Sequence, residues 1–220
     1  MPNHPIRVLI VYHSTPGHTK RMAEVVAEGA ESVEDTDAVA KSVDEVQRTD
    51  FKDCDAMILG SPVQQRTMSW QMKRFIDQLC EPSWFFDDLV GRVGGVFTTG
   101  GGYGDCGGGC DLAQISMLAN LASLGMVLVT LPKTTPGYDT AGMHWGPHIR
   151  TNDASLQPIL PSGMSPEGLK AAFHHGANIA RTAKALRGAR LMAQGNIVPP
   201  PAIRAKRARL ENLEPQGLPR

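Results

Sequence analysis

Near the start of the chain Ile6-Arg7-Val8-Leu9-Ile10-Val11-Tyr12 runs directly into His13-Ser14-Thr15-Pro16-Gly17-His18-Thr19, and this junction limits what the whole sequence can fold into. A short, mostly aliphatic strand that breaks into a small hydroxyl-bearing loop and then an amphipathic helix aims backbone N–H groups and hydroxyls at one point, a geometry suited to a phosphate. The loop contains neither Gly-x-x-x-x-Gly-Lys nor Gly-x-Gly-x-x-Gly. Ser14, Thr15 and Thr19 are its donors, and Gly17 lets the backbone approach. Neutral donors at a helix N-terminus suit a monophosphate better than a triphosphate with magnesium. Taken alone, the loop could equally do no more than cap the helix.

Behind the loop, Met22, Val25, Val26, Ala30 and Val33 recur at helical spacing and predict a first helix over 19–33. A second strand is expected over 37–43, then a short helical connection over 44–52. Ala56-Met57-Ile58-Leu59 is a continuous apolar run of the kind buried on both faces of a parallel sheet. It ends at Gly60-Ser61-Pro62, and a polar loop leads to a helix over 68–79, stopped by Glu81-Pro82-Ser83. A fourth strand over 93–98 opens into a glycine-rich loop, a helix follows over 111–124 with Gly125 as its C-cap, and a fifth strand covers 126–131. Residues 132–163 carry many Pro and Gly with no sustained period and read as a long loop. Ser165 and Pro166 open a last helix reaching Leu186. Alternating strands and helices with near-continuous apolar strands predict a doubly wound parallel sheet. The loops at 14–19, 61–67 and 98–105 all follow strands, so they are expected to meet at the carboxyl edge, where such sheets bind ligands.

The composition bounds the rest. With 41% hydrophobic residues the chain can bury a core, and its 22 basic residues balance 22 acidic ones, so no overall field recruits nucleic acid. From Ala189 onward there are six basic residues and two acidic, leaving 16 against 20 before that point. The reading is therefore a mildly acidic body over 1–188 and a Pro-rich, basic tail over 189–220. No apolar run approaches the roughly 18 residues of a membrane span and no signal peptide opens the chain, which predicts a cytoplasmic protein without a membrane span. Cys54, Cys80, Cys106 and Cys110 are too few for a disulfide framework. Cys106 and Cys110 lack a second pair, and Pro147 separates His144 from His148, so no metal is expected. His174-His175 in the last helix is expected at the surface or an interface.

Three segments carry a resemblance. Val8 to Thr19, with Met22-Ala23 and Val26-Ala27-Glu28-Gly29-Ala30 behind it, is one. Asp55 to Pro62, with Met68, Gln71-Met72 and Phe75-Ile76-Asp77-Gln78, is the second. Gly94 to Gly102, with Leu124-Gly125-Met126-Val127-Leu128-Val129, is the third. In this order and spacing they resemble the flavodoxin-like superfamily and are most similar to its WrbA-type NAD(P)H:quinone oxidoreductases.

The resemblance implies a flavodoxin-like five-stranded parallel sheet in the order 2-1-3-4-5, with helices on both faces and FMN as cofactor. Ser14, Thr15, Pro16, Gly17, His18 and Thr19 match the phosphate loop. Ser61, Pro62, Val63, Gln64, Gln65, Arg66 and Thr67 match the loop on one side of the flavin ring, and Thr98, Thr99, Gly100, Gly101, Gly102 and Tyr103 the loop on the other. It further implies NADH or NADPH as co-substrate, a quinone or similar flat electron acceptor, and a homodimer or homotetramer. The alternative within the same fold is a flavodoxin-type electron carrier with no small-molecule substrate of its own. Two positions depart from the family. Gln64-Gln65-Arg66 stands where it has Arg-Phe-Gly, and Leu124 replaces its active-site histidine. His144, Trp145 and His148 in the long loop are the candidates to take over that catalytic role.

Overall fold

The computed structural model describes residues 4–102, 108–189, 191–192 and 199–213. Tyr103 and Cys106 lie outside them. In chain order the elements are β1 (Ile6–Tyr12), α1 (His18–Glu31), β2 (Thr36–Ser42), α2 (Arg48–Asp53), β3 (Ala56–Gln64), β4 (Thr67–Met68) and α3 (Trp70–Phe75). A π-helical turn (Ile76–Cys80) leads to α4 (Glu81–Phe86), β5 (Val93–Gly100), α5 (Cys110–Ser123), β6 (Val127–Leu128), α6 (Tyr138–Ala141) and β7 (His148–Arg150). A 3-10 turn (Pro161–Gly163), α7 (Pro166–Leu186) and α8 (Pro201–Leu213) complete the chain.

The sheet runs β2-β1-β3-β5-β6 with every pairing along that path parallel. This is the expected order of the five principal strands. Two further strands enlarge the sheet to seven. β4 folds back antiparallel on the end of β3. β7 pairs with β5 from Thr98↔His148 to Gly100↔Arg150, while β6 takes only Val93 and Gly94 at the other end. The edge beyond β5 is thus built from two short pieces of chain, and β5 is buried along its whole length.

Alternation sends Ile6, Val8, Ile10 and Phe97 to the face covered by α1 and α7, and Leu9, Val11, Met57, Leu59 and Val96 to the opposite one. Phe51 of α2, Met72 and Phe75 of α3, and Met117 and Leu121 of α5 fill that second layer. On the first face α1 and α7 cross unusually closely. A Cβ on Gly29 would stand 1.9 Å from the Phe173 carbonyl oxygen, and one on Gly176 2.0 Å from that of Val26.

Several expectations needed correction. The helix over 68–79 does not stop at Glu81-Pro82 but continues as α4. The π turn lets the Glu81 N–H reach back five residues to Ile76 O, and the wider turn accommodates a proline that would break a regular helix. The loop over 132–163 contains α6 and β7. A three-residue strand has no periodicity to read, and it exists because β5 offers an unpaired edge. His175 is fully buried against the sheet, because α7 is covered by β5 on one side and α1 on the other. Within the segment read as a tail, α8 rests on α4. Arg207 donates to Phe85 O and pairs with Asp87 at 2.9 Å, and Lys206 lies over the Phe85 ring.

Candidate functional site

The first loop leaves β1 with the His13 N–H donating to Gly60 O, which fixes it beside β3. Gly17 has φ +99, left-handed backbone that disfavours a side chain, and its N–H donates to Ser14 Oγ at 3.2 Å. The N-terminus of α1 has no side-chain cap and no acidic residue in its first turn. Its N–H groups are therefore available to an anion, and the hydroxyls of Ser14 and Thr15 stand next to them. His18 is used differently. Its buried ring donates from Nε2 to Ile159 O at 2.7 Å, and Pro161 lies against Gly17, so this histidine anchors a strap of chain over the loop.

The segment 61–67 is a hairpin rather than an open loop. β3 extends through Gln64, which pairs with Thr67, and the turn is made by Gln65 and Arg66 at φ 44 and 73. Both are left-handed, as a two-residue hairpin that follows strand twist requires, without the Asn-Gly that signals it in sequence. Ser61 is fully buried and accepts from the Ser69 N–H at 2.9 Å, while Ser69 caps α3 by accepting from the Met72 N–H. Ser61 therefore pins the hairpin to the helix behind it. Gln64, Gln65, Arg66 and Thr67 are exposed, and Pro62 and Val63 are half-buried.

At the end of β5, Thr99 Oγ1 lies 2.8 Å from Thr19 Oγ1, a buried hydroxyl pair that ties the third loop to the first. A Cβ on Gly109, ahead of α5, would stand 2.5 Å from Arg66 Cα, so the hairpin tip leans on the far end of the third loop. The Thr98 hydroxyl meets His148 Nδ1 at 3.0 Å and receives Gln114 Nε2 at 3.0 Å, and the same amide faces the Gly146 and Pro147 carbonyls at 3.1 Å. Two carbonyls require the NH2 side of Gln114 there. The arrangement that satisfies the Thr98 hydroxyl has it donate to His148 Nδ1, leaving the proton of a neutral imidazole on Nε2. Burial chiefly, then the Arg150 charge, pushes the His148 pKa down to about 4, which keeps the ring neutral. Among the described residues, Nε2 of His148 and Oε1 of Gln114 are buried without a partner. Arg150 donates to Gly102 O at 2.6 Å, and Asn152 occupies the space a Cβ on Gly101 would need.

The three loops thus meet at one end of the sheet, and of the histidine and tryptophan candidates His148 joins them. His144 is exposed, with Nδ1 3.3 Å from the Tyr138 hydroxyl. Its carbonyl accepts from the Leu131 N–H, and Trp145 packs on the α5-side core, so both lie along the flank of the sheet. Gln114, Ser69, Arg150 and Asn152 were not foreseen. A signal existed for Gln114, a lone amide in register with Cys110, Met117 and Leu121 on the buried stripe of α5.

Sheet order, hydroxyl-lined first loop and converging hairpin define a doubly wound mononucleotide-binding protein. A flavodoxin domain family matches residues 9–86. The flavodoxin of Aquifex aeolicus is 38% identical over 122 residues, a match spanning 56% of this chain and 63% of that protein. An NAD(P)H dehydrogenase (quinone) of Cupriavidus metallidurans is 33% identical, covering 83% of this chain and 99% of its own length. A solved WrbA-like flavodoxin from Agrobacterium tumefaciens superposes with a TM-score of 0.64 at 28% identity, over 83% of this chain and 99% of that one. The chain belongs to the flavodoxin-like family of FMN-dependent oxidoreductases.

The residues present fit that cofactor. The uncapped α1 N-terminus beside Ser14 and Thr15 suits its phosphate, and His148 keeps a buried donor at the glycine-rich loop after β5. No described helix is long and apolar enough to cross a membrane.

Proposed function

We propose that this chain is an FMN-dependent NAD(P)H oxidoreductase that passes two electrons to a quinone or similar flat acceptor, with residues 1–188 as the flavin-binding body and 189–220 as an accessory segment. The Thr19–Thr99 hydroxyl pair carries the reading, because at 2.8 Å it ties a phosphate-type loop directly to the start of a glycine-rich loop, so that one ligand can touch both. In this reading Ser14, Thr15, Gly17, Thr19 and the backbone of Pro16 and His18 hold the phosphate. The hairpin from Ser61 to Thr67 forms one wall, and Thr98 to Gly102 the other. When bound, FMN supplies two-electron acceptance and donation.

The protein's part is orientation and electrostatics. The backbone N–H groups of Gly101 and Gly102 meet negative charge, with the Arg150 guanidinium held at the Gly102 carbonyl beside them. His148 is a positioning residue that holds the Thr98 hydroxyl and, through it, the end of β5. Val63 approaches Gly100 and excludes water from one side. A single open face requires the dinucleotide and the acceptor to take turns, so ping-pong kinetics are expected. The quinone dehydrogenase relative aligned over 99% of its length supports this reading.

Mixing the flavin-loaded protein with NADH or NADPH in a stopped-flow instrument should bleach the flavin absorbance, and added quinone should restore it. The likeness to the Aquifex flavodoxin favours a second reading, an electron carrier. That reading predicts bleaching by dithionite and none by either dinucleotide. Thr99→Val keeps the shape but removes the link between loops, and FMN affinity should fall roughly tenfold, the scale of one lost buried hydrogen bond. Unchanged affinity by fluorescence titration would mean the two loops do not hold one ligand. The described cysteines Cys54, Cys80 and Cys110 are unpaired thiols, which supports a cytoplasmic setting. A homodimer or homotetramer remains part of the proposal on family likeness.

A further inference from the structure

We propose that Trp70 and Arg74 form a subsite beside the flavin loops for an aromatic ring bearing an anion, the adenosine-phosphate end of the reduced nicotinamide co-substrate. The proposal rests on the reading of the chain as an NAD(P)H oxidoreductase and adds where the far end of the dinucleotide binds.

Trp70 is 62% exposed although it is the first residue of α3, directly behind Ser69, whose backbone N–H is bonded to Ser61. It therefore stands at the base of the hairpin that walls the site. Arg74, one helical turn further on, places its guanidinium 5.3 Å from the Trp70 ring centroid and pairs with Asp44. One side of the indole is thereby occupied and the ring fixed, while much of its surface faces water. The Arg74–Asp44 pair also borders the first loop. His13, whose Nε2 lies 3.3 Å from Thr15 Oγ1, has a pKa lowered mainly by burial, with Asp44 raising it and Arg74 lowering it. The indole and guanidinium thus extend from the hairpin to the flank of the phosphate-type loop, on the surface and clear of the loops that would enclose the flavin.

The chemistry of this pair selects its ligand. An indole held by a guanidinium is a preformed stacking surface for a base, and such stacking does not depend on a deep pocket. Arginine carries five donors in a rigid fork. Asp44 engages NH2, and the outward donors can still meet phosphate oxygens. Lys20, in the first turn of α1, adds a further exposed cation whose field reaches Glu45 beside Asp44. A neutral quinone would use the ring but not the cations. The other strongly exposed tryptophan, Trp84, packs edge-on against Phe85 at 5.0 Å, beside the α8 contact, and among the described residues no cation lies over its ring.

Isothermal calorimetry of NADP+ and NAD+ binding to the flavin-loaded protein, at low and at physiological salt, tests the proposal, with stopped-flow flavin reduction run in parallel. Trp70→Ala should weaken both dinucleotides about tenfold, in line with the loss of one base-stacking contact, and Trp70→Phe should recover most of that loss. Arg74→Gln should weaken NADP+ more than NAD+, about fivefold against twofold, and flatten the salt dependence. Unaltered affinities and salt dependence in both Trp70→Ala and Arg74→Gln, with wild-type flavin content, would overturn the subsite while leaving the oxidoreductase reading intact. Failure of the wild-type protein to bind or be reduced by either dinucleotide would overturn both.

Discussion

Gly176→Ala is expected to destabilise the protein by about 2–3 kcal/mol and to lower its Tm by roughly 5–10 °C, although alanine is the better helix former. Helical preference alone would make the substitution stabilising by about 1 kcal/mol. Against that, the new Cβ would lie 2.0 Å from Val26 O and 3.2 Å from Ala30 N, both backbone atoms of α1 that no rotamer change can move. The two helices must separate, and the layer that carries the first loop must shift with them. Gly29→Ala meets the Phe173 carbonyl oxygen at 1.9 Å and should behave alike. Gly163→Ala, where the nearest atom is 4.0 Å away, should be nearly neutral and serves as the control. Chemical denaturation of the three variants checks this, and a neutral Gly176→Ala would mean that α1 and α7 do not cross as closely as described.

Acidification should unfold the protein through two buried histidines. Burial pushes the pKa of His175 from 6.5 to about 4, opposed only weakly by the nearby Val96 backbone, and His148 falls to about 4 through burial and Arg150. Both rings are neutral in the folded state. The unfolded chain takes up protons as pH falls through about 6.5 and the folded chain resists until about 4, so stability declines across that window and levels off below it. Each histidine contributes a loss of roughly 3 kcal/mol by pH 4, set by the size of its shift. Neither ring nitrogen of His175 makes a well-formed hydrogen bond among the described residues, and the ring lies against Gly95 in the middle of β5, so His175→Met isolates its share. Unfolding free energies measured between pH 7.5 and 4 should fall less steeply in that variant. The same slope in His175→Met as in the parent would show that other groups govern acid unfolding.

These two effects mark the boundary of what the sequence discloses. The periodicity of Ile6 to Tyr12, Ala56 to Leu59 and Val93 to Thr98 determined that the chain builds a parallel sheet, because only burial on both faces tolerates such continuous apolar strands. The hydroxyls and Gly17 after β1 and the glycines after β5 marked the loops expected to hold a mononucleotide, since those features are local to the backbone that forms them. Long-range geometry left no such trace. β7 is three residues whose partner is an edge fifty positions away, and the hairpin turn at Gln65 and Arg66 lacks the residues that advertise it. His148 and Gln114 face each other's neighbourhood through Thr98 only when α5 and β7 are laid against β5. His175 lies on the helix face that burial by both α1 and the sheet conceals, where one-sided burial would have left it at the surface. The sequence by itself determined the five principal strands and, through its family resemblance, the expected strand order and ligand. Only the tertiary structure decided which histidine meets the site, which one lies in the core, and which exposed tryptophan stands beside the loops, because those relations depend on distances between segments that no local pattern encodes.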